Sequence, residues 1–228
     1  MKILIIDNTM EPKSFGSPEL CRIARQEGDS TVYVRRAPEG DLPDDPKAFD
    51  RVIVSGSITS CLSLDPWIDS LLAFIRKTIN ERVPYLGVCF GHQMLARALG
   101  ERELLRKAKS PEFGWTKIKV THQSPIFHQM PSEFHTFSSH YEEVATLPRS
   151  FTKLAESDQC AIQACQLEGY PAFGIQFHPE KTDQEGEEIL KQKMKKGPDV
   201  PLLNIGKGSQ LYDGRIAQTL MRNFLQNE

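Results

Sequence analysis

Pro84-Tyr85-Leu86-Gly87-Val88-Cys89-Phe90-Gly91-His92-Gln93 joins a short apolar run to the start of a helical one across a Gly-x-Cys-x-Gly junction. Residues 85–88 read as a buried strand, and residues 92–99 as a helix ended by Gly100. Between them the chain must turn within a few residues. This is the cysteine counterpart of the Gly-x-Ser-x-Gly elbow, in which the nucleophile occupies a strained turn at the top of a sheet. The two glycines let the backbone pack closely on either side. Such a turn pushes the sulfur outward, and the helix N-terminus stabilises its anion. The N–H of Phe90 is left to face an oxyanion formed on attack. A buried core cysteine between ordinary turn glycines would also satisfy this stretch taken alone.

Outward from the junction, strands and helices alternate. Residues 2–7, 30–35 and 51–55 are strand-like, with β-branched or continuously apolar centres. Residues 18–26 read as a helix capped by Ser17 and followed by Gly28. Residues 65–82 read as a second helix, with Asp65 as cap and Pro66 in the first turn. This order predicts an α/β fold: three layers, a mostly parallel central sheet flanked by helices, flavodoxin-like, with sites at the carboxyl ends of the strands. From about Phe113 the pattern changes. Residues 115–121, 152–156, 161–167 and 172–177 suggest antiparallel strands appended to the same sheet. Helical runs at 184–195 and 215–224 follow. The Gly-, Pro- and Lys-rich stretch 196–213 between them reads as an ordered loop or short insertion, or equally as a solvated linker. Residues 1–228 are expected to form a single domain.

Composition excludes several classes. Charged residues make up 25% and hydrophobic residues 39% of 228 residues, ordinary for a globular chain able to bury one core. The net charge of -2 gives no electrostatic reason to bind nucleic acid or an anionic membrane. No apolar run approaches the ~20 residues of a membrane span, and the first residues carry no cleavable signal pattern, so a cytoplasmic protein is expected. The five cysteines are odd in number and include no C-x-x-C pair, which argues against a disulfide framework and a zinc site. No metal and no cofactor are expected.

A cysteine nucleophile needs an imidazole nearby and a third group to orient it. Of the histidines, His178 stands out: it ends the apolar run 172–177 and is followed by Pro179 and Glu180. Residues two apart in an extended chain point to the same side, so Glu180 can reach back to the ring. Pro179 stiffens the turn. A solvated strand end would also accommodate His-Pro-Glu. His92 lies too early in its helix to serve as the base and reads as structural or as a pocket wall.

Together, residues 87–93 (GVCFGHQ) and Phe177-His178-Pro179-Glu180 resemble the class I, or triad, glutamine amidotransferases, in motif, order and spacing. Within that family the chain is similar to the glutaminase domain of GMP synthase, with γ-glutamyl peptidases in the same neighbourhood. The resemblance covers most of the chain. It implies Cys89 as nucleophile, His178 as base and Glu180 as orienter. It implies that Gln93 contacts bound glutamine and that Ser139 and His140, within Ser138-Ser139-His140-Tyr141-Glu142, line the pocket. Val54-Ser55-Gly56-Ser57 takes the place of the family's glycine-rich loop, which makes Gly56 the second oxyanion donor beside Phe90. One glycine stands here where the family often has Gly-Gly-Pro. The role of the following loop, residues 58–65, stays open.

The implied reaction is hydrolysis of the γ-amide of glutamine through a γ-glutamyl thioester, releasing ammonia and glutamate. The sequence shows no pyrophosphatase loop and no phosphate-binding Gly-Lys loop that would mark a synthetase half. The ammonia would then go to a separate synthetase subunit, or the chain would hydrolyse γ-glutamyl peptides or conjugates by itself. A regulatory or binding protein on the same fold is a third reading, against which all three triad residue types are present. The lysine-rich run 191–196 reads as a solvated helix end.

Overall fold

In the computed structural model, which describes residues 1–11, 17–26, 29–197 and 199–226, the first strand, β1 (Lys2–Asp7), sends Ile3 and Ile5 into one hydrophobic core and Leu4 and Ile6 into another. Successive side chains leave a strand on opposite faces, so a continuous apolar run fits a strand covered on both sides. β2 (Thr31–Arg36) and β3 (Arg51–Val54) pair in parallel with β1, β4 (Tyr85–Val88) with β3, and β9 (Ala172–Ile175) with β4. Helices α1 (Ser17–Arg25) and α6 (Gly214–Gln226) close the first core; α2 (Pro66–Asn80) and α3 (Phe90–Leu99) close the second. The expected three-layer α/β arrangement is what forms.

The second half continues the same sheet with reversed strands. β5 (Leu105–Val120) pairs antiparallel with β6 (Glu133–Val144) and β7 (Phe151–Glu156), and β7 with β8 (Ala164–Leu167). β8 then joins β9, so the antiparallel strands are welded to the parallel ones. Among the described residues the sheet order is β10-β5-β7-β8-β9-β4-β3-β1-β2, with β6 on β5. No helix of the described residues is long and apolar enough to cross a membrane.

Several expectations are corrected. The stretch 196–213 is no solvated linker among its described residues. It forms β10 (Leu202–Leu203), parallel to β5, and the short α5 (Gly208–Leu211). Asn204 Nδ2 donates to the Trp115 carbonyl at 2.8 Å, and the N–H groups of Gly206 and Gly208 donate to Glu187, at the middle of α4 (Asp183–Lys196). Gly114 makes this docking possible: its φ is +128°, and a Cβ there would lie 2.1 Å from the Leu203 carbonyl oxygen. Residues 105–112 and 133–144 are strands that the apolar pattern did not mark. Ser17 begins α1 rather than preceding it. Asp65 stands at the N-cap of α2 without a side-chain bond, and α2 stops at Asn80 because Arg82 turns to φ +59°. Gly28, expected to follow α1, lies outside the described residues.

Candidate active site

β4 ends at Val88 and α3 begins at Phe90, leaving Cys89 alone to make the turn, at φ +50° and ψ -100°. Few non-glycine residues adopt such angles, and they cluster where function fixes the backbone. Neighbouring contacts hold the turn. The Cys89 N–H donates to the Ile175 carbonyl of β9 at 2.8 Å, and the Tyr85 hydroxyl donates to the Gly91 carbonyl at 2.9 Å. Both flanking glycines are sterically required. A Cβ on Gly87 would lie 2.4 Å from the Gly91 carbonyl, and one on Gly91 would lie 2.2 Å from the Val54 oxygen of β3. Phe90 opens the helix, so its N–H has no intrahelical acceptor.

His178 lies just beyond β9, the strand beside β4. Its N–H donates to the Phe137 carbonyl of β6 at 2.7 Å, which fixes the backbone past the strand end. The ring is fully buried, and its Nδ1 lies 2.7 Å from Glu180 Oε1. Arg22 Nη2 of α1 donates to the Glu180 carbonyl at 3.1 Å, tying this turn to the first helix. Burial works against a charged ring, but the Glu180 carboxylate and the Cys89 sulfur, by charge and by hydrogen bond, outweigh it and push the His178 pKa up to about 10. The ring is thereby set to hold a proton at neutral pH. Gly56, just after β3, sits against both partners: a Cβ there would lie 3.0 Å from His178 Cε1 and 3.7 Å from Cys89 Cβ. The ends of three adjacent parallel strands thus bring residues 56, 89 and 178 together.

A cavity of about 280 Å³ opens over this point, lined by Cys89, Gln93, Ser139, His140 and the loop from Ser57 to Ser60. Phe113 and Tyr141 add an aromatic wall, their rings 4.7 Å apart. The Ser139 carbonyl lies 3.9 Å from the Cys89 sulfur. His140 is held by its Nε2, 2.9 Å from the buried Glu112, and by its Nδ1, 3.1 Å from the Glu142 carbonyl. Three further residues belong here that sequence reasoning did not single out. The Glu142 carboxylate accepts from Ser60 Oγ at 2.5 Å and from the Cys61 N–H at 2.6 Å, pinning the loop after Gly56. Arg97 holds the same loop through the carbonyls of Cys61 and Ser63. Gln176 is fully buried, with its Nε2 3.5 Å from the Cys89 sulfur.

His92 faces elsewhere. Its Nδ1 lies 3.6 Å from Cys165 Sγ, and a Cβ on Gly174 would meet it at 2.3 Å. Burial, with the charge of His140 adding to it, lowers its pKa to about 3, so the ring is a neutral packing element. Glu112, His140 and Cys160 bring one ligand-type atom each within 4.8 Å of one another. Yet Glu112 already meets His140, Gln163 and Ser157, and burial raises the Cys160 thiol far out of the reactive range. The cluster is a hydrogen-bonded support behind the pocket wall. A larger cavity of about 560 Å³ lies around Ser124, His128 and Asn223, remote from Cys89 and without a nucleophile in its lining.

Residues 20–196 match the family described as class-I glutamine amidotransferase. The glutamine-hydrolysing subunit of GMP synthase from Methanococcus aeolicus is 37% identical over 163 residues, which is 71% of this chain and 81% of that one. The protein of the same name from Thermoplasma acidophilum is 31% identical over 192 residues, 84% of this chain and 90% of its own. The crystal structure of a glutamine amidotransferase from Methylobacillus flagellatus matches with a TM-score of 0.82, covering 99% of this chain and 94% of that one. At 22% identity this likeness speaks to the fold alone.

Proposed function

Since this chain belongs to the class I glutamine amidotransferase family, we propose that it cleaves the γ-amide of glutamine with Cys89 as nucleophile, His178 as proton carrier and Glu180 as the group that orients the ring. The reading is carried by one observation: a cysteine forced into a strained turn beside a fully buried His178–Glu180 pair at 2.7 Å, beneath a cavity. The Cys89 thiolate adds to the amide carbon. The N–H groups of Phe90 and Gly56 hold the oxyanion, each such donor being worth about 3–4 kcal/mol of barrier. The His178 imidazolium gives its proton to the departing nitrogen, ammonia leaves, and a γ-glutamyl thioester remains on Cys89. The neutral ring then takes a proton from water, hydroxide adds to the thioester, and glutamate departs as the thiolate re-forms. Gln93, Ser139 and His140 hold the glutamine chain.

Release of ammonia and glutamate by purified protein tests this directly. Cys89→Ala is expected to abolish turnover, while Gln93→Ala raises KM more than it lowers kcat. Undiminished glutaminase activity in Cys89→Ala would refute the assignment. The relatives named as glutamine-hydrolysing parts of GMP synthase suggest that a separate synthetase receives the ammonia. Stimulation of glutamine hydrolysis by such a synthetase would support that role. The aromatic wall of Phe113 and Tyr141 favours a second reading, in which a bulkier γ-glutamyl peptide or conjugate occupies the cavity. Cleavage of γ-glutamyl dipeptides by the chain alone, faster than cleavage of glutamine, distinguishes it.

A further inference from the structure

We propose that Gln176 is a further catalytic residue, whose side-chain amide donates a hydrogen bond to the Cys89 sulfur and favours its anion. The proposal rests on Cys89 being the nucleophile. Gln176 follows β9 and precedes His178 by two residues, so an extended chain turns both side chains toward the same region. Its backbone N–H is fixed by the Gln163 carbonyl at 2.8 Å, and its side chain is fully buried.

The two ends of a glutamine amide have nearly the same shape, so the surrounding bonds must decide which end meets the sulfur. They do so in two steps. The Gln93 amide lies 2.8 Å from the Glu142 backbone carbonyl, which can only accept, so Gln93 presents Nε2 there. The same Nε2 lies 3.2 Å from the Gln176 amide, where only an oxygen can receive it. Gln176 therefore turns Oε1 to Gln93 and Nε2 to Cys89, at 3.5 Å from Sγ. A main-chain carbonyl of β6 thus sets the polarity of the whole relay.

An N–H donor beside a sulfur stabilises the anion more than the neutral thiol. The bond acts twice in the proposed cycle. It favours the attacking thiolate, and it favours the same thiolate as leaving group when water has added to the thioester. It also links the nucleophile to Gln93, the residue placed against the substrate.

The test is the rate of Cys89 alkylation by iodoacetamide across pH, followed by peptide mass spectrometry in the full chain without substrate. Gln176→Leu removes the donor while keeping an apolar side chain that can pack. Gln176→Glu keeps the shape and substitutes an acceptor. Alkylation near neutral pH is expected to fall roughly ten- to hundredfold in each, the range of a hydrogen bond to a charged group, with the half-maximal rate moved to higher pH. Far-ultraviolet circular dichroism confirms that each variant is folded. A profile that matches the wild type in either folded variant overturns the proposal. If Cys89→Ala is inactive while that match is found, only the role of Gln176 fails. If Cys89→Ala remains active, the underlying reading fails with it.

Discussion

A methyl group on Gly56 would meet His178 Cε1 at 3.0 Å, closer than side-chain atoms ordinarily approach, and the fully buried ring has little room to retreat. Gly56→Ala should therefore leave the fold intact and displace the imidazole from the sulfur, lowering kcat by about 100-fold, the usual consequence of a misplacement near 1 Å. Steady-state kinetics beside a thermal melt would show it; wild-type kcat would mean that the ring is not the proton carrier. The charge on that ring makes a second prediction. Because His178 is raised from 6.5 to about 10, its contribution to stability is whole below about pH 6.5 and disappears as pH climbs through about 10. Melting temperature should decline over that window. In Cys89→Ala, burial still opposes the charge while Glu180 alone supports it, so the ring proton should titrate at lower pH in NMR spectra. An unchanged midpoint in Cys89→Ala would separate the sulfur from the imidazole. Cys89, His178 and Glu180 were legible in the sequence because glycines or a proline mark the turns that carry them. Gln176 has no such neighbour. Its one signal was a spacing of two from His178 in an extended segment, which is shared by residues of every kind.

At the level of elements, helix α4 leaves directly from the turn that holds Glu180. Thr182 caps it reciprocally: its Oγ1 accepts from the Glu185 N–H at 3.3 Å, and Glu185 Oε2 accepts from the Thr182 N–H at 2.8 Å. Loss of such a cap typically costs about 1 kcal/mol. Thr182→Ala should lower the melting temperature by about 2–4 °C for a chain of this size, with kcat nearly unchanged, since Arg22 and the Phe137 carbonyl still hold residues 178–180. A large loss of kcat without loss of stability would show that the cap positions the acid. The same scale explains what the sequence hid. β1, β3 and β4 are buried on both faces, and burial is what an apolar run reports. β5 and β6 begin and end as an antiparallel ribbon in which Lys107 faces Glu142 and Lys119 faces Glu133, with an irregularity between Lys107 and Glu112. Mutual pairing and cross-strand charge, rather than a core, define the ends of that ribbon, so no hydrophobic period marks them. β10 is two residues long and is placed by Glu187 and Gly114, neither adjacent to it in sequence.

Over the whole molecule, β4 from the first half of the chain is bonded to β9 from the second, and α1 packs with α6 in one core. Residues 56, 89 and 178 meet only when those two halves share a sheet, so neither half alone can assemble the site. A sheet closed in this way has no internal seam at which one half could unfold first, which predicts that the chain unfolds as one cooperative unit. The two tryptophans allow a direct test. Trp67 lies in α2 against Phe90 of α3, ring centroids 5.7 Å apart, within the parallel half. Trp115 lies in β5 against Phe137 of β6, at 5.6 Å, within the antiparallel half. Trp67→Phe leaves fluorescence that reports only the second region, and Trp115→Phe only the first. In urea, each variant's fluorescence midpoint should coincide with its own far-ultraviolet circular dichroism midpoint, and with the loss of glutaminase activity. If the Trp115 signal changed at a lower concentration than the dichroism of the same variant, the antiparallel strands would be melting from an intact parallel sheet. The site would then be governed by a boundary between β8 and β9 rather than by a continuous fold.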